Sequence, residues 1–311
     1  MAGPEISVVL ATYNRAALLP RAIESVLAQT GADFELIVID DASSDGTPVY
    51  LKSLADPRIR VRIAEKNQGP SGARNLGIEM AKAPIVAFLD SDDVYLPGRL
   101  SIPLKIFLSE PDVVCVLASA RKFDRGVPRA AHIPALKLAA PAFEWALICD
   151  LIPVEATSIT VRRDAALAAG GFCPRLRLTE DREFLTRLAK QGGCRTVGDL
   201  LWEKTWSDDG LSMDWSHMAD GLIAYVRERP EYTTRFARLG SYLATKILVA
   251  HMRDRRYHML LPDFEKLRGA GLIPGNPLRA LRNHVSVKKY RRATNNAAGL
   301  AQLKGPPEHW L

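Results

Sequence analysis

Three carboxylates within four residues, Asp90, Asp92 and Asp93 with Ser91 among them, close the apolar run Ile85 to Leu89. An unbroken apolar run of that length predicts a buried parallel strand, and ligands collect just outside the carboxyl ends of such strands. Clustered acids repel unless a cation or hydrogen-bond donors offset their charge, and a hard divalent ion bridging protein and phosphate oxygens does so. That chemistry is a metal–diphosphate site. A solvated acidic turn, with Ser91 and the aspartates capping a helix near Pro97, accounts for the same residues.

Two other predicted strands end in polar residues at the same edge: Thr12-Tyr13-Asn14-Arg15 after ISVVLAT, and Asp40-Asp41 after FELIVI. Capping alone does not require acids at successive strand ends, so the convergence favours the metal–diphosphate site. A nucleotide pocket fits there, with Asp41 accepting hydrogen bonds from a base and Arg74 near phosphate. Arg74 lies in NQGPSGARNLG, a glycine-rich turn into a helix. This turn matches neither GxGxxG nor GxxxxGK[ST], and so identifies neither a dinucleotide fold nor an ATPase loop. Further along, Glu180 and Asp181 open a helix with Phe184, Leu185, Leu188 and Ala189 on one face. Acids at a helix N-terminus suit the macrodipole, which accounts for that pair without any chemistry.

The elements that position these residues alternate. Strands are predicted near 7–12, 34–39, 59–64 and 85–89, with helices between them, which implies an α/β fold with a doubly wound, mostly parallel central sheet. Strands at 112–118, 157–161 and 195–206 follow, and the Ala/Pro-rich segment 121–141 reads as a loop over the site. Helices are expected over 236–252, from Pro262 to Arg268 and over 278–292, and the last dozen residues read as disordered.

With 47% hydrophobic and 25% charged residues in 311, the composition is that of a globular chain. No segment approaches about 20 apolar residues and no charged-then-apolar leader opens the sequence, so a soluble, cytoplasmic protein is expected. Cys115, Cys149, Cys173 and Cys194 form no CxxC pair, against a structural zinc site or disulfide framework. The net charge of +7 belongs to the tail: from Arg227 onward 17 Lys and Arg face 6 Asp and Glu, against 25 and 29 before it. Such a tail suggests an anionic partner. Leu278 to Arg292 either packs as a helix with a solvated basic face or lies on anionic lipid at the inner face of the membrane. Nucleic acid is not expected, because only Tyr290 interleaves with the basic residues.

Taken in order, SVVLATYNR, IDDASSDGT, NQGPSGARNLG, FLDSDD, GGF and TEDREFLTRLAKQGG resemble glycosyltransferase family 2, inverting nucleotide-sugar enzymes of the Rossmann-like A-type (GT-A) fold. The resemblance covers about residues 5–212 and is specific because six motifs fall in the right order. It implies a catalytic domain over 1–225, its nucleotide half to about 110 and its acceptor half beyond, followed by a basic helical extension over 226–311. It implies that Thr12, Tyr13, Asn14, Arg15 and Asp41 hold the nucleoside and that Arg74 lies near the nucleotide. Asp90-Ser91-Asp92 takes the place of the DxD motif. Asp92 then coordinates Mn2+ or Mg2+, Asp90 meets the ribose or a metal-bound water, and Asp93 is a neighbour. Asp181 takes the place of the catalytic base, and Glu180 contacts the acceptor or orients the site.

The chain departs from the family pattern twice. No QxxRW follows Asp181, which implies non-processive transfer of one sugar from a nucleoside-diphosphate sugar, UDP being the commonest donor, to a saccharide or lipid-linked acceptor. The turn WSDDGLS lacks the family's histidine, so either Asp208 substitutes as a ligand or the metal has fewer protein ligands. Two alternatives stand beside this reading. A nucleotidyltransferase would need a glycine-rich loop with lysine where TYNRAA stands, and a binding or membrane-associated protein without catalysis would not need Asp90, Asp92 and Asp181 together.

Overall fold

In strand β1 (Ile6–Thr12) alternate side chains serve opposite faces of a sheet: Ile6, Val8 and Leu10 join one core and Val9 the other. Strands β2 (Phe34–Asp40) and β4 (Ile85–Asp90) repeat the pattern. Burial on both faces is why these strands read as unbroken apolar runs. The computed structural model describes residues 3–124, 127–205 and 217–304.

The remaining strands are β3 (Ile59–Ile63), β5 (Val94–Tyr95), β6 (Val113–Asp124), β7 (Val127–Ala131), β8 (Leu136–Leu138), β9 (Ile159–Arg162) and β10 (Gly193–Glu203). They form one sheet in the order β3-β2-β1-β4-β9-β6-β10-β5, with β7 paired to β6 and β8 to β10. β3, β2, β1 and β4 are parallel neighbours, as are β6 and β10, while β9 runs antiparallel between β4 and β6. The sheet is therefore parallel in the half built from β1 to β4, as expected. Register sets Thr12 beside Asp40 and Ala11 beside Asp90, so the polar strand ends share one edge.

Helices α1 (Leu19–Leu27), α2 (Thr47–Lys52), α3 (Gly69–Met80) and α4 (Ser101–Ser109) make the early crossovers, α1 and α4 covering one face and α3 the other. On the α3 face follow α5 (Ala140–Ile148), α6 (Arg163–Ala168) and α7 (Glu180–Leu188). The C-terminal helices are α8 (Met218–Glu228), α9 (Ala237–Arg253), α10 (Tyr257–Gly269), α11 (Pro277–Thr294) and α12 (Ala297–Ala301). They pack into the same apolar cluster, which runs from Val9 and Phe88 to Leu239, Ile247, Val287 and Leu303. Among the described residues no helix is long and apolar enough to cross a membrane.

Three local expectations differ from the structure. Segment 121–141 is not a loop: β6 extends to Asp124, pairs with β7, and β8 adds to β10. Ser119 stitches the region, donating to Val197 O at 2.8 Å and accepting from Ile133 N at 2.8 Å, so pairing overrides the weak local preference of an Ala/Pro-rich stretch. Helix α10 begins at Tyr257 and carries Pro262 inside it. The final residues are not disordered throughout, because Leu300 and Leu303 are buried.

Helix α3 lies so close to β1 that a Cβ on Gly77 would sit 2.2 Å from Val9 Cγ1. Both atoms are on regular elements that cannot retreat. Gly77→Ala is expected to cost about 1–3 kcal/mol by overpacking, read as a lowered midpoint in chemical denaturation; an unchanged midpoint would show that α3 can lift from the sheet.

Candidate active site

A cavity of about 1150 Å³ opens at the carboxyl edge of the parallel strands. Thr12, Tyr13, Asn14, Arg15, Asp41, Arg74, Asp90, Ser91, Asp92, Asp93, Glu180 and Asp181 all line it. Asp208 lies outside the described residues. The volume lies just above the roughly 300–1,000 Å³ typical of a single small-molecule pocket.

The two turns leaving β1 and β2 are tied to each other. Asn14, at φ 51°, accepts from Ser44 N at 2.8 Å through Oδ1, and its own N donates to Ser43 Oγ at 2.8 Å. Arg15 N donates to Thr47 Oγ1 at 3.1 Å. The Asn14 side chain thus holds the turn, while Tyr13 is 46% exposed and Thr12 Oγ1 is buried without a hydrogen-bond partner among the described residues. Asp41 caps α3: its carboxylate accepts from Gln68 N and Gly69 N, each at 2.8 Å. Each of its oxygens retains a second lone pair for a base.

Arg74 is the junction of the site. Its guanidinium meets Asp90 Oδ1 at 2.7 Å, Glu180 Oε1 at 2.9 Å and Asp181 Oδ1 at 3.6 Å, with Phe172 beneath it at 5.3 Å. Phe172 in turn stacks on Phe184 of α7 at 4.3 Å and meets Phe88 of β4 edge-on at 5.2 Å. Arg74 therefore lines the cavity, as a residue near the nucleotide must, yet its charge is given over to three carboxylates rather than held out for phosphate. Burial opposes its charge, but Asp90, Asp181 and Glu180 outweigh burial and raise its pKa. Glu180 is buried, and its engagement with Arg74 makes it a positioning residue.

Asp181 differs from Glu180 although the two are adjacent. Its Oδ1 is buried with no hydrogen-bond partner among the described residues. Burial, then the Glu180 carboxylate, push its pKa well above the ordinary range, Arg74 pulling the other way. Its ionised form is therefore disfavoured where it stands, and a carboxylate with such a shift is a stronger base than an ordinary aspartate when it does ionise. Thr179, which precedes the pair, is held at φ 64°, a strained conformation for a β-branched residue and one found at functional sites.

Of the strand-end acids, Asp93 is structural. It is buried, accepting from Thr157 Oγ1 at 2.6 Å and Thr205 N at 3.2 Å, and burial followed by the charges of Asp90 and Asp92 raises its pKa strongly. No group of three His, Cys, Asp or Glu side chains suited to a metal forms among the described residues. The crowding of Asp90, Asp92 and Asp93 still favours a cation. Hard ions such as Mg2+ bind through one or two carboxylates, with substrate phosphates and water completing the shell. The strand-end carboxylates are thus a donor set of the kind that fits a divalent ion, and Asp90 among them is engaged by Arg74.

Sequence reasoning missed Glu155, Lys204 and Asp150, which also line the cavity. Lys204 follows the end of β10 and donates to Glu155 at 2.9 Å; the rule that drew attention to Asp90 applied to it equally. Asp150 carries no local signal, since its partners Arg182, Lys246 and Arg291 are remote.

The family model described as glycosyl transferase family 2 matches residues 7–167, more than half of the 311. The chain belongs to glycosyl transferase family 2. Among family relatives, the succinoglycan biosynthesis protein ExoO of Rhizobium meliloti (strain 1021) is 47% identical over 97 residues, 31% of this chain and 28% of that protein. The Escherichia coli UDP-Glc:alpha-D-GlcNAc-diphosphoundecaprenol beta-1,3-glucosyltransferase WfgD is 37% identical over 103 residues, 33% of this chain and 41% of that protein. The matched stretches thus span less than half of either relative. Among solved structures, the mannosyltransferase PcManGT from Pyrobaculum calidifontis, in complex with GDP-Man and Mn2+, has a TM-score of 0.59 at 20% identity over 96% of this chain and 85% of that one. S. aureus TarS 1-349 in complex with UDP-GlcNAc has a TM-score of 0.56 at 17% identity, covering 93% and 92%. These likenesses establish the fold: the family-2 chain has the A-type architecture that its motifs implied.

Two stability outcomes are expected for this family-2 chain. Arg74→Ala strands Glu180, Asp90 and Asp181 without their cation and is expected to cost about 3–5 kcal/mol, measured by denaturant unfolding. Asp181→Asn runs the other way. The folded pKa of Asp181 lies above its unfolded value, so ionisation costs the native state above the folded pKa, and that cost is absent below the unfolded value of about 4. The variant is expected to melt at or above the wild-type temperature near neutral pH, with the advantage vanishing towards acid; a clear loss of stability at neutral pH would contradict the desolvation of Asp181.

Proposed function

We propose that this chain is a metal-dependent, inverting, non-processive glycosyltransferase. It moves one sugar from a nucleoside-diphosphate sugar, UDP-linked, to a saccharide or lipid-linked acceptor. The observation that carries this reading is the buried Asp181 Oδ1, which accepts no hydrogen bond among the described residues and meets Arg74 only at 3.6 Å, in one cavity with the strand-end acids. The choice of uridine and of a lipid-linked acceptor is supported by the name of WfgD and by the UDP-GlcNAc complex of TarS. In this reading residues 1–225 are the catalytic domain, the basic helices after them complete the acceptor side, and the protein works in the cytoplasm at the inner face of the membrane.

The chemistry is a single displacement. The nucleoside sits over Thr12, Tyr13 and Arg15 against Asp41, which places the diphosphate at the edge where β1 and β4 end. A hydroxyl of the acceptor donates its hydrogen bond to Asp181. As the hydroxyl oxygen bonds to the anomeric carbon from the face opposite the diphosphate, its proton passes to Asp181 and the bond from carbon to diphosphate oxygen breaks. Attack opposite the leaving group inverts the configuration at that carbon. A divalent ion, Mn2+ or Mg2+, held through Asp92 supplies positive charge that offsets the charge gathering on the diphosphate. Glu180 and Arg74 keep Asp181 aimed.

The test is a panel of UDP-, GDP- and dTDP-sugars with acceptor mixtures, with and without Mn2+, comparing wild type with Asp181→Asn. Metal-dependent release of one nucleoside diphosphate is expected, and the variant should lose about 10²–10⁴-fold in kcat while binding nucleotide normally. Because the ionised form of Asp181 is the active one and its pKa is raised, kcat/KM should climb with pH across a midpoint well above that of an ordinary aspartate. An acid limb at the ordinary aspartate value, or a rate untouched by Asp181→Asn, would remove Asp181 from the mechanism. Tight nucleotide binding with no turnover on any donor would instead indicate a binding module.

A further inference from the structure

The cavity does not end at Asp181. Its far wall is built by the C-terminal helices, which contribute the apolar Leu222, Leu243 and Ile247 and the polar Lys246, His284 and Lys288. Spacing puts these on continuous faces: Leu243, Lys246 and Ile247 lie within one turn of α9, and His284 and Lys288 are four apart on α11.

The two ends of the cavity carry opposite charge. At the strand edge, Asp41, Asp90, Asp92 and Asp181 gather negative charge. At the helical end Asp150 is a carboxylate shared by three cations, Arg182 at 2.8 Å, Arg291 at 3.0 Å and Lys246 at 3.2 Å. Lys288 adds a further cation to the same wall, and His284, nine-tenths buried, leaves Nδ1 without a hydrogen-bond partner among the described residues. The cationic excess repels itself unless an anion enters. The strand-edge acids would reject that anion unless it came with a metal, so the helical end is suited to a second anionic group, distinct from the donor diphosphate.

The helix that carries His284 and Lys288 also bears a row of exposed apolar side chains. On α11, Leu278, Leu281 and Val285 are 65%, 54% and 59% exposed. Their spacing of three and four sets them in a row, and Leu281 falls seven residues before Lys288, on the same flank. Lys246 is also tied to the helix that carries Asp181, because it shares Asp150 with Arg182, the residue after Asp181.

We propose that the helical end of the cavity is an acceptor subsite for a phosphoryl group borne on an apolar chain. Lys246 and Lys288 hold the diphosphate of a lipid-linked saccharide, its chain leaves along Leu278, Leu281 and Val285, and its terminal sugar faces Asp181. The assignment rests on the glycosyltransferase reading, and it adds a binding site that can be measured without turnover.

The experiment is calorimetric titration of farnesyl diphosphate into the full chain saturated with UDP and Mn2+, with inorganic pyrophosphate and farnesol as comparators. Farnesyl diphosphate is expected to bind without displacing UDP. Lys246→Gln combined with Lys288→Gln should weaken it by about tenfold or more, since each removes a charge-assisted contact, and should leave UDP affinity unchanged. Lys246 is 54% exposed and Asp150 keeps Arg182 and Arg291, so the variant retains its fold; an unchanged melting temperature checks this. Leu281→Asp with Val285→Asp should weaken farnesyl diphosphate but not pyrophosphate. Competition with UDP, or binding indifferent to the lysine pair, would overturn the subsite. Pyrophosphate bound as tightly as farnesyl diphosphate, and equally dependent on the lysines, would keep the phosphoryl subsite and overturn the lipid path in favour of a soluble sugar phosphate. UDP binding is read in the same cell, so failure here with intact UDP binding counts against the subsite alone, whereas failure of transfer with intact lysine-dependent binding counts against the catalytic reading.

Discussion

A buried guanidinium surrounded by three carboxylates organises this molecule. Arg74 comes from α3, Asp90 from the end of β4, and Glu180 and Asp181 from the start of α7, three elements that meet only because the sheet brings them to one edge. Any two acids at that spacing would repel, and either would be costly to bury alone. With the arginine between them they become a rigid frame, and the frame leaves one carboxylate, that of Asp181, incompletely satisfied. The aromatic trio Phe88, Phe172 and Phe184 fixes the arginine from below, so the charged layer rests on a packed one. The raised pKa of Asp181 is therefore a product of burial beside neighbours that are themselves fully paired.

The start of α7 faces two charge centres. Glu180 and Asp181 turn to Arg74, whereas Arg182 turns to Asp150. Asp150 also binds Lys246 of α9 and Arg291 of α11, and these cations outweigh its burial and hold its pKa below the usual carboxylate range. The helix that carries Asp181 is thereby anchored to the sheet edge on one side and to the C-terminal helices on the other. That arrangement explains why a basic tail and an acidic strand edge coexist in a chain of modest net charge: each sign is concentrated at its own end of one cavity.

The parallel half of the fold was legible in the residues because doubly buried strands leave an unmistakable apolar run, and the carboxyl-edge rule then located Asp90, Asp92 and the end of β1 before any geometry was known. Hairpin β6–β7 was not legible, since its pairing is sustained by Ser119 and by β10 rather than by local preference. The start of α10 was misplaced because Pro262 reads as a first-turn proline, whereas the helix begins at Tyr257 and the proline falls on an exposed position. Within the site, residue types were legible and their partners were not. Asp41 reads as an acceptor for a base, and nothing local shows that Gln68 N and Gly69 N also bond to it. Arg74 reads as a residue near phosphate, and its carboxylate partners lie up to 107 positions away. Long-range pairing of charges has no period, so it leaves no pattern in a single sequence.

Backbone strain shows where the remaining free energy is spent. Five residues other than glycine adopt positive φ among the described residues, and three of them, Asn14, Asp150 and Thr179, line the cavity, with Ala42 next to Asp41. Each such conformation costs about 1–3 kcal/mol when no side chain compensates. Asn14 is compensated by its bonds to the neighbouring turn and Asp150 by its three cations, but the Thr179 hydroxyl reaches only the adjacent Leu178 carbonyl. The strain at Thr179 is therefore sustained from the next residue along, by the pairing of Glu180 with Arg74. A fold selected for stability alone would relax this junction by replacing Asp181 with a neutral residue and Thr179 with glycine. The chain instead keeps a strained threonine next to a desolvated carboxylate, a combination that costs stability at the mouth of the cavity.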